Sequence, residues 1–184
     1  KIRKYVKNIA ITLGGVDKDN NVLKILSVIR KFKLLENVKI KIILGLGYKQ
    51  KKKLLGLTNK MNSLNHKIEI VEKVDLLSKH LIDCDFVIAS NGRTVLEIAS
   101  LNIPLISLSV NKREQQHNFV RKFNVGYHID YTKNIEDKLK SSIENMMDFS
   151  IRKKKIKNLE KEDLRKGITT VTTKIMSEYE STTH

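Results

Sequence analysis

Six short runs of apolar and β-branched residues, each followed by a segment with helical apolar spacing, limit the folds open to this chain. The runs are Asn8 to Leu13, Val38 to Leu44, Lys67 to Val71, Asp85 to Ala89, Leu105 to Ser109 and Val125 to Ile129. Several are almost continuously apolar, as expected of strands in a parallel sheet with helices on both faces. Between the first two, Val22, Ile25, Leu26, Ile29 and Phe32 recur with the 3.6-residue period of a helix. Leu54, Leu57, Met61 and Leu64 do the same between the second and third. Further helices are expected at Val74 to Ile82, Thr94 to Leu101, Glu114 to Phe123 and Ile135 to Met147. This alternation predicts an α/β fold: a doubly wound, six-stranded parallel sheet with right-handed crossovers.

After about residue 148 the alternation stops and two helices are expected. Ile168, Val171, Ile175, Met176 and Tyr179 mark the clearer one, while Lys153 to Lys157 reads as a charged, exposed stretch before it. With 184 residues, the chain has the size of one domain. The expected organisation is a core over residues 8–148 and a helical tail over 149–184. The chain opens on Lys1 and not on methionine, so a piece of a longer polypeptide is expected.

Composition narrows the function classes. No apolar run approaches the roughly 20 residues of a membrane span. The apolar stretch behind Lys1 to Lys7 is too short for a signal peptide and runs straight into Gly14-Gly15. The single Cys84 has no internal disulfide partner, which fits a reducing compartment. The expected location is cytoplasmic, with the inner membrane surface as the alternative. Net charge is +16, but residues 1–60 hold 16 basic and 3 acidic side chains while residues 61–130 hold 8 of each. The motif-bearing middle is thus the neutral part. Lys49 to Lys53 has no interleaved aromatics and belongs to no nucleic-acid module. A solvated lysine surface is the preferred reading, ahead of membrane attraction and of nucleic-acid binding.

In doubly wound sheets ligands bind where the carboxyl ends of strands lead into helices. Three such loops stand out. Leu13-Gly14-Gly15-Val16-Asp17 offers close backbone approach and amides for an anion or a sugar; the alternative is a tight turn with Asp17 or Asn20 as helix cap. Ala89-Ser90-Asn91-Gly92-Arg93-Thr94 opens a helix whose first amides suit a phosphate. There, Thr94 and Glu97 form a capping box in the structural alternative; in the functional one, Glu97 accepts hydrogen bonds from a ribose. Asn111 to Asn118 packs amide, carboxylate and imidazole groups suited to a polyhydroxylated ligand, or else forms a polar helix start with His117 on the surface. Gly45-Leu46-Gly47 is discounted as a turn, since it does not follow the first strand. His80, Asp83, Cys84 and Asp85 are discounted as a metal site, Cys84 being expected to be buried.

Taken in order, Gly-Gly-x-Asp at Gly14, Asn-Gly-Arg-Thr-x-x-Glu at Asn91, Pro104, and the Asn-x-Arg-Glu-Gln segment at Asn111 resemble the C-terminal, nucleotide-sugar-binding half of GT-B fold proteins. The resemblance is to the spore-coat polysaccharide (SpsG-like) proteins and the UDP-sugar hydrolases of pseudaminic acid synthesis (PseG-like). More remotely it is to the MurG-type lipid II-forming N-acetylglucosaminyltransferases. It spans about residues 8 to 130 and implies a Rossmann-like half of a GT-B fold that binds a UDP-sugar, as part of a glycosyltransferase or a UDP-sugar hydrolase of surface-polysaccharide synthesis. It implies no metal and no cofactor.

By this resemblance Gly14 and Gly15 face the interdomain cleft and the Val74 backbone meets the base. Asn91, Gly92, Arg93 and Thr94 form the diphosphate-binding helix start, and Glu97 binds the ribose. Gln115, Gln116, His117 and Asn118 reach the sugar. The implied partner is the absent N-terminal GT-B half, which supplies the general base and the acceptor site, so this stretch alone binds and does not turn over. Two departures stand out: Asn91-Gly92 replaces the usual diglycine, and Val16 stands where serine is common. The alternatives are a noncatalytic sugar-nucleotide module attached to a sugar cytidylyltransferase domain and, less favoured, a basic nucleic-acid binder.

Overall fold

A computed structural model describes residues 2–64, 66–131 and 135–182. Six parallel strands form one sheet: β1 (Asn8–Thr12), β2 (Lys39–Ile43), β3 (Lys67–Val71), β4 (Phe86–Ser90), β5 (Leu105–Leu108) and β6 (Gly126–Ile129). Their order is β3-β2-β1-β4-β5-β6, so the chain reverses its direction of travel between β1 and β4. Ile9 pairs with Ile40 on one side and Phe86 on the other.

The connecting helices are α1 (Asn21–Lys31), α2 (Lys51–Asn62), α3 (Leu77–Leu81), α4 (Thr94–Ser100), α5 (Lys112–Gln115), α6 (Phe119–Lys122) and α7 (Glu136–Met147). The tail follows as α8 (Phe149–Glu162), a 3-10 turn at Leu164–Lys166 and α9 (Gly167–Thr182).

Side chains that alternate along a strand go to opposite faces, and the core divides accordingly. Ile9 and Ile11 of β1, with Phe86 and Ile88 of β4, pack under Ile25, Leu26 and Ile29 of α1 and Ile143 and Met146 of α7. Ala10, Val87 and Ala89 turn the other way, against Val95, Ile98 and Ala99 of α4 and Leu159 of α8. Burying one such isoleucine or valine contributes about 1.5–3 kcal/mol. This is the architecture that the alternating pattern predicts, with a topological switch point at β1/β4.

Two expectations are corrected. The helix expected over Glu114 to Phe123 is two short helices, α5 and α6, separated at residues 116–118. The lysine-rich stretch 153–157 is not uniformly exposed. Arg152, just before it, is fully buried and Lys155 is nearly so; Lys155 Nζ donates to Asn124 Oδ1 and lies over the Tyr127 ring. The clearer of the two helices expected in the tail is α9, in which Val171, Ile175, Met176 and Tyr179 are each more than half exposed. In the Lys49–Lys53 run, Lys51 pairs with Glu72, while Lys49, Lys52 and Lys53 are exposed. Among the described residues, no helix is long and apolar enough to cross a membrane.

Candidate functional site

The loop after β1 and the turn after β4 meet at the switch point. Gly14 has φ of +76°, a conformation other residues rarely adopt, and a Cβ built on it would stand 3.5 Å from Ser90 Oγ. The discounted Gly45-Leu46-Gly47 segment is a turn that also supports this loop. Gly47 N donates to Gly15 O at 2.9 Å. A Cβ on Gly45 would collide with Gly14 O and with Gly15 Cα and O at 2.4 Å. Beside these glycines a cavity of about 380 Å³ is lined by Gly14, Gly15, Leu46, Lys73, Val74 and Asp75, at the carboxyl ends of β1, β2 and β3. Val74 thus lies with the diglycine although 59 residues apart in sequence.

The expectation that the start of α1 offers amides to an anion is corrected. Asp17 Oδ1 accepts from Asn21 N and Oδ2 from Val22 N, both at 2.9 Å. Asn20 O takes the next two amides, those of Leu23 and Lys24. Asp17 is therefore the side-chain cap. Asn20 stands at the N-cap position in left-handed geometry, makes no cap bond, and leaves its Oδ1 buried without a partner.

The start of α4 is the opposite case. Arg93 precedes the helix in helical geometry and no side chain caps it, so the Thr94–Glu97 capping box does not form. Val95 N and Leu96 N bond to Gly92 O and Arg93 O. Among the described residues nothing accepts from the amides of Gly92, Arg93 and Thr94. Three consecutive N–H groups thus have no protein acceptor among the described residues, beside Gly14 and Ser90. Arg93 and Glu97 are exposed, and the Glu97 carboxylate has no protein partner among the described residues.

Asn91 joins this turn to the third loop. Its Nδ2 donates to Glu114 O at 2.7 Å and His117 O at 2.8 Å, and His117 Nδ1 donates back to Asn91 O at 2.7 Å. In a continuous helix those two carbonyls would accept from the amides of Asn118 and Arg121. Asn91 bonds both where the expected helix breaks, and Glu114 O also accepts from the amide of His117. Asn111 caps α5 by accepting from Glu114 N at 2.9 Å. The Glu114 carboxylate accepts from Val110 N and faces Gly92, where a Cβ would be 3.4 Å from Oε1. Gln115, Gln116 and Asn118 are exposed on the same segment.

A polar cluster that the sequence did not single out supports this loop. His128 of β6 bonds Ser107 Oγ at 2.8 Å and Ser109 Oγ at 3.2 Å, with Asp130 Oδ1 3.4 Å from Nε2. Arg121 bridges Asp130 Oδ1 and Gln115 O. Burial, and then the neighbouring Arg121 charge, hold His128 below the ordinary histidine range, opposed by Asp130. The serine spacing of Ser107 and Ser109 on one strand was the available signal, but their shared partner comes from the next strand.

His80, Asp83, Cys84 and Asp85 lie at the other end of the sheet. Asp85 accepts from the amides of Lys7 and Asn8 and pairs with Arg3. Cys84 is half-buried, and desolvation pushes its thiol up to about 11. Among the described residues no three His, Cys, Asp or Glu side chains converge as a metal site would require.

A parallel sheet of this order, with its cleft at the β1/β4 switch point, is a Rossmann-like fold of the kind that makes up each half of GT-B architectures. Solved structures agree. Acinetobacter baumannii MurG superposes with a TM-score of 0.68 at 14% identity, over 85% of this chain and 47% of its own. The pneumococcal O-GlcNAc transferase GtfA, solved with UDP and GlcNAc, gives 0.54 at 20% identity over 94% of this chain and 36% of its own. At such identities the likeness is one of fold. In sequence, an uncharacterised Methanocaldococcus jannaschii protein, MJ1062, is 30% identical over 113 residues, 61% of this chain and 23% of that protein. The chain thus spans about a quarter of that relative and less than half of the two solved proteins. No family model matches it.

Proposed function

We propose that this domain binds a nucleotide sugar, UDP-linked, as the donor-binding half of a surface-polysaccharide glycosyltransferase or an SpsG- or PseG-like UDP-sugar hydrolase. One observation carries the reading: Gly14 and Ser90 bring the glycine loop against a turn with three unclaimed amides, beside a cavity that contains Val74. In this reading the base enters the cavity and meets the Val74 backbone. The diphosphate lies against Gly14, Gly15 and the amides of Gly92 to Thr94, with Arg93 adding positive charge from the rim. Glu97 accepts from the ribose hydroxyls, and Gln115, Gln116 and Asn118 reach toward the sugar. Asn91 and His117 hold the turn and the sugar loop together.

The chemistry assigned to this half is electrostatic. Fixed N–H dipoles oppose the negative charge that grows on a departing nucleoside diphosphate and need no reorientation as it grows. Attack at the anomeric centre, by water or an acceptor hydroxyl, is left to groups of a facing N-terminal domain.

Calorimetric titration with UDP, CMP and UDP-N-acetylglucosamine tests the reading. UDP is expected to bind more tightly than CMP. Glu97→Ala is expected to lose about 1–3 kcal/mol of UDP affinity, the range of a hydrogen bond to a charged group. Equal UDP affinity in the two proteins would show that Glu97 is not the ribose ligand, and no UDP binding at all would remove the nucleotide reading.

A further inference from the structure

A second, much smaller cavity lies on the core side of the glycine loop, and Gly14 and Gly45 line both it and the cavity that contains Val74. Its volume is about 10 Å³, close to the least that accommodates one water molecule. Ile11, Val22 and Ile42 supply aliphatic walls, while Asp17 and Tyr48 supply the polar side chains. Tyr48 is only 5% exposed, and its hydroxyl is buried with no hydrogen-bond partner among the described residues. We propose that this cavity holds one ordered water, which accepts from Tyr48 Oη and donates to Asp17 Oδ2, and that through it Tyr48 is a positioning residue of the glycine loop.

Two observations point to a water and to this direction of bonding. A phenol removed from water and left unpaired is costly, and nearly all buried hydroxyls find a partner. Of the side chains that line the cavity, only Asp17 can accept from Tyr48, and no direct bond joins the two. The second observation is the spare capacity of Asp17. Its Oδ1 accepts from both the amide and the Nδ2 of Asn21, whereas its Oδ2 accepts from Val22 N alone, so one lone pair of Oδ2 remains. Burial, and then the nearby Asp17 charge, hold the Tyr48 phenol above the ordinary tyrosine range, so it keeps its proton and donates. A carboxylate can only accept. A water between them satisfies both, since it accepts from one and donates to the other.

The consequence is a loop held from two sides. On one side, Gly47 N donates to Gly15 O and Tyr48 N to Gly45 O, which fixes the 45–48 turn against the glycine loop through the backbone. On the other, the water joins Tyr48 to Asp17, the residue that closes the start of α1. Residues 14–17 are thereby clamped between the turn and the helix. The water site stands on these contacts alone; only its effect on ligand affinity rests on the nucleotide-sugar reading above.

Crystal structures of the parent chain and of Tyr48→Phe, at a resolution that shows ordered water, test the site. A water is expected within about 2.5–3.2 Å of both Tyr48 Oη and Asp17 Oδ2 in the parent, and none in the variant. A dry cavity in the parent, or a direct bond between Tyr48 and Asp17, overturns the proposal. Amide hydrogen exchange tests the positioning role. In Tyr48→Phe the Val22 and Gly47 amides are expected to exchange about tenfold faster, and those of Ile106 and Leu108 in β5 to change less. Unaltered exchange at Val22 and Gly47, or an equal rise at all four, would make Tyr48 no more than a core side chain. UDP is expected to bind the variant more weakly. Parental UDP affinity in a variant whose loop exchanges faster would remove UDP from the glycine loop and leave the water in place.

Discussion

Asn91 and His117 hold each other reciprocally, each side chain bonded to the other's backbone carbonyl, across 26 residues of sequence. Asn91 is almost wholly buried and also holds Glu114 O. Asn91→Ala strips a donor from two carbonyls, of which Glu114 O keeps the His117 amide. An expected loss of about 1–3 kcal/mol, the cost of leaving the His117 carbonyl without its donor, is measurable by urea denaturation. His117→Ala removes one donor from an exposed position and is expected to cost less. Equal effects would mean that the two contacts do not differ as their burial indicates.

Gly45 underlies the glycine loop. In Gly45→Ala the new methyl group meets backbone atoms of Gly14 and Gly15, which cannot swing aside as a side chain can. We expect a stability loss of about 1–3 kcal/mol, as for an overpacked site, together with weaker UDP binding. Gly15→Ala, with nothing within 4 Å of the added Cβ, provides the stability control and should melt as the parent does. A Gly45→Ala protein with parental melting and UDP affinity would show that the loop is not held in this way.

His128 makes stability depend on pH. Its folded-state affinity for a proton is depressed by burial, as is that of His66, while the unfolded chain titrates near 6.5. Below that value the unfolded state binds more protons than the folded one, so stability is complete above about 6.5 and falls as the medium is acidified. His128→Gln should flatten part of the fall in melting temperature between about pH 7 and 5.5, with His66 accounting for a remainder. An unchanged slope would place the pH dependence elsewhere.

Arg152 is fully buried and donates to Met146 O, Met147 O, Arg3 O and Lys4 O. It ties the start of the chain to the α7–α8 junction. Arg152→Ala leaves four carbonyls without this donor and is expected to cost about 1–3 kcal/mol, the range for leaving a buried polar group unpaired. Tryptic cleavage at Arg3 and Lys4 should quicken in the variant, whereas the Lys7 and Asn8 amides should stay protected by Asp85. Unaltered cleavage would show that the segment is held by other contacts.

The sheet was legible because its signal is local. A run such as Phe86-Val87-Ile88-Ala89 needs cover on both faces whatever surrounds it, and the period of α1 names the face that supplies it. The glycine loop and the Asn91–Thr94 turn were legible as strand-to-helix junctions for a related reason: their residue types suit such turns. What the chain could not disclose alone depends on partners far away in sequence. Lys155 and Arg152 read as exposed charge or its neighbour until the Asn124 amide and the carbonyls of residues 3 and 4 arrive to bury them. The break at residues 116–118 has no proline or glycine to announce it, and the carbonyls on its two sides are bonded by the distant Asn91 side chain. Asp17 and Thr94 looked equally able to cap a helix, and only the folded backbone settled that Asp17 closes α1 while the α4 turn stays open. Periodicity and residue type therefore determined the fold and the ends of the strands where a ligand would sit. Which amides are spent on the protein and which are left over was decided by tertiary structure, since a hydrogen bond depends on where both its partners come to lie.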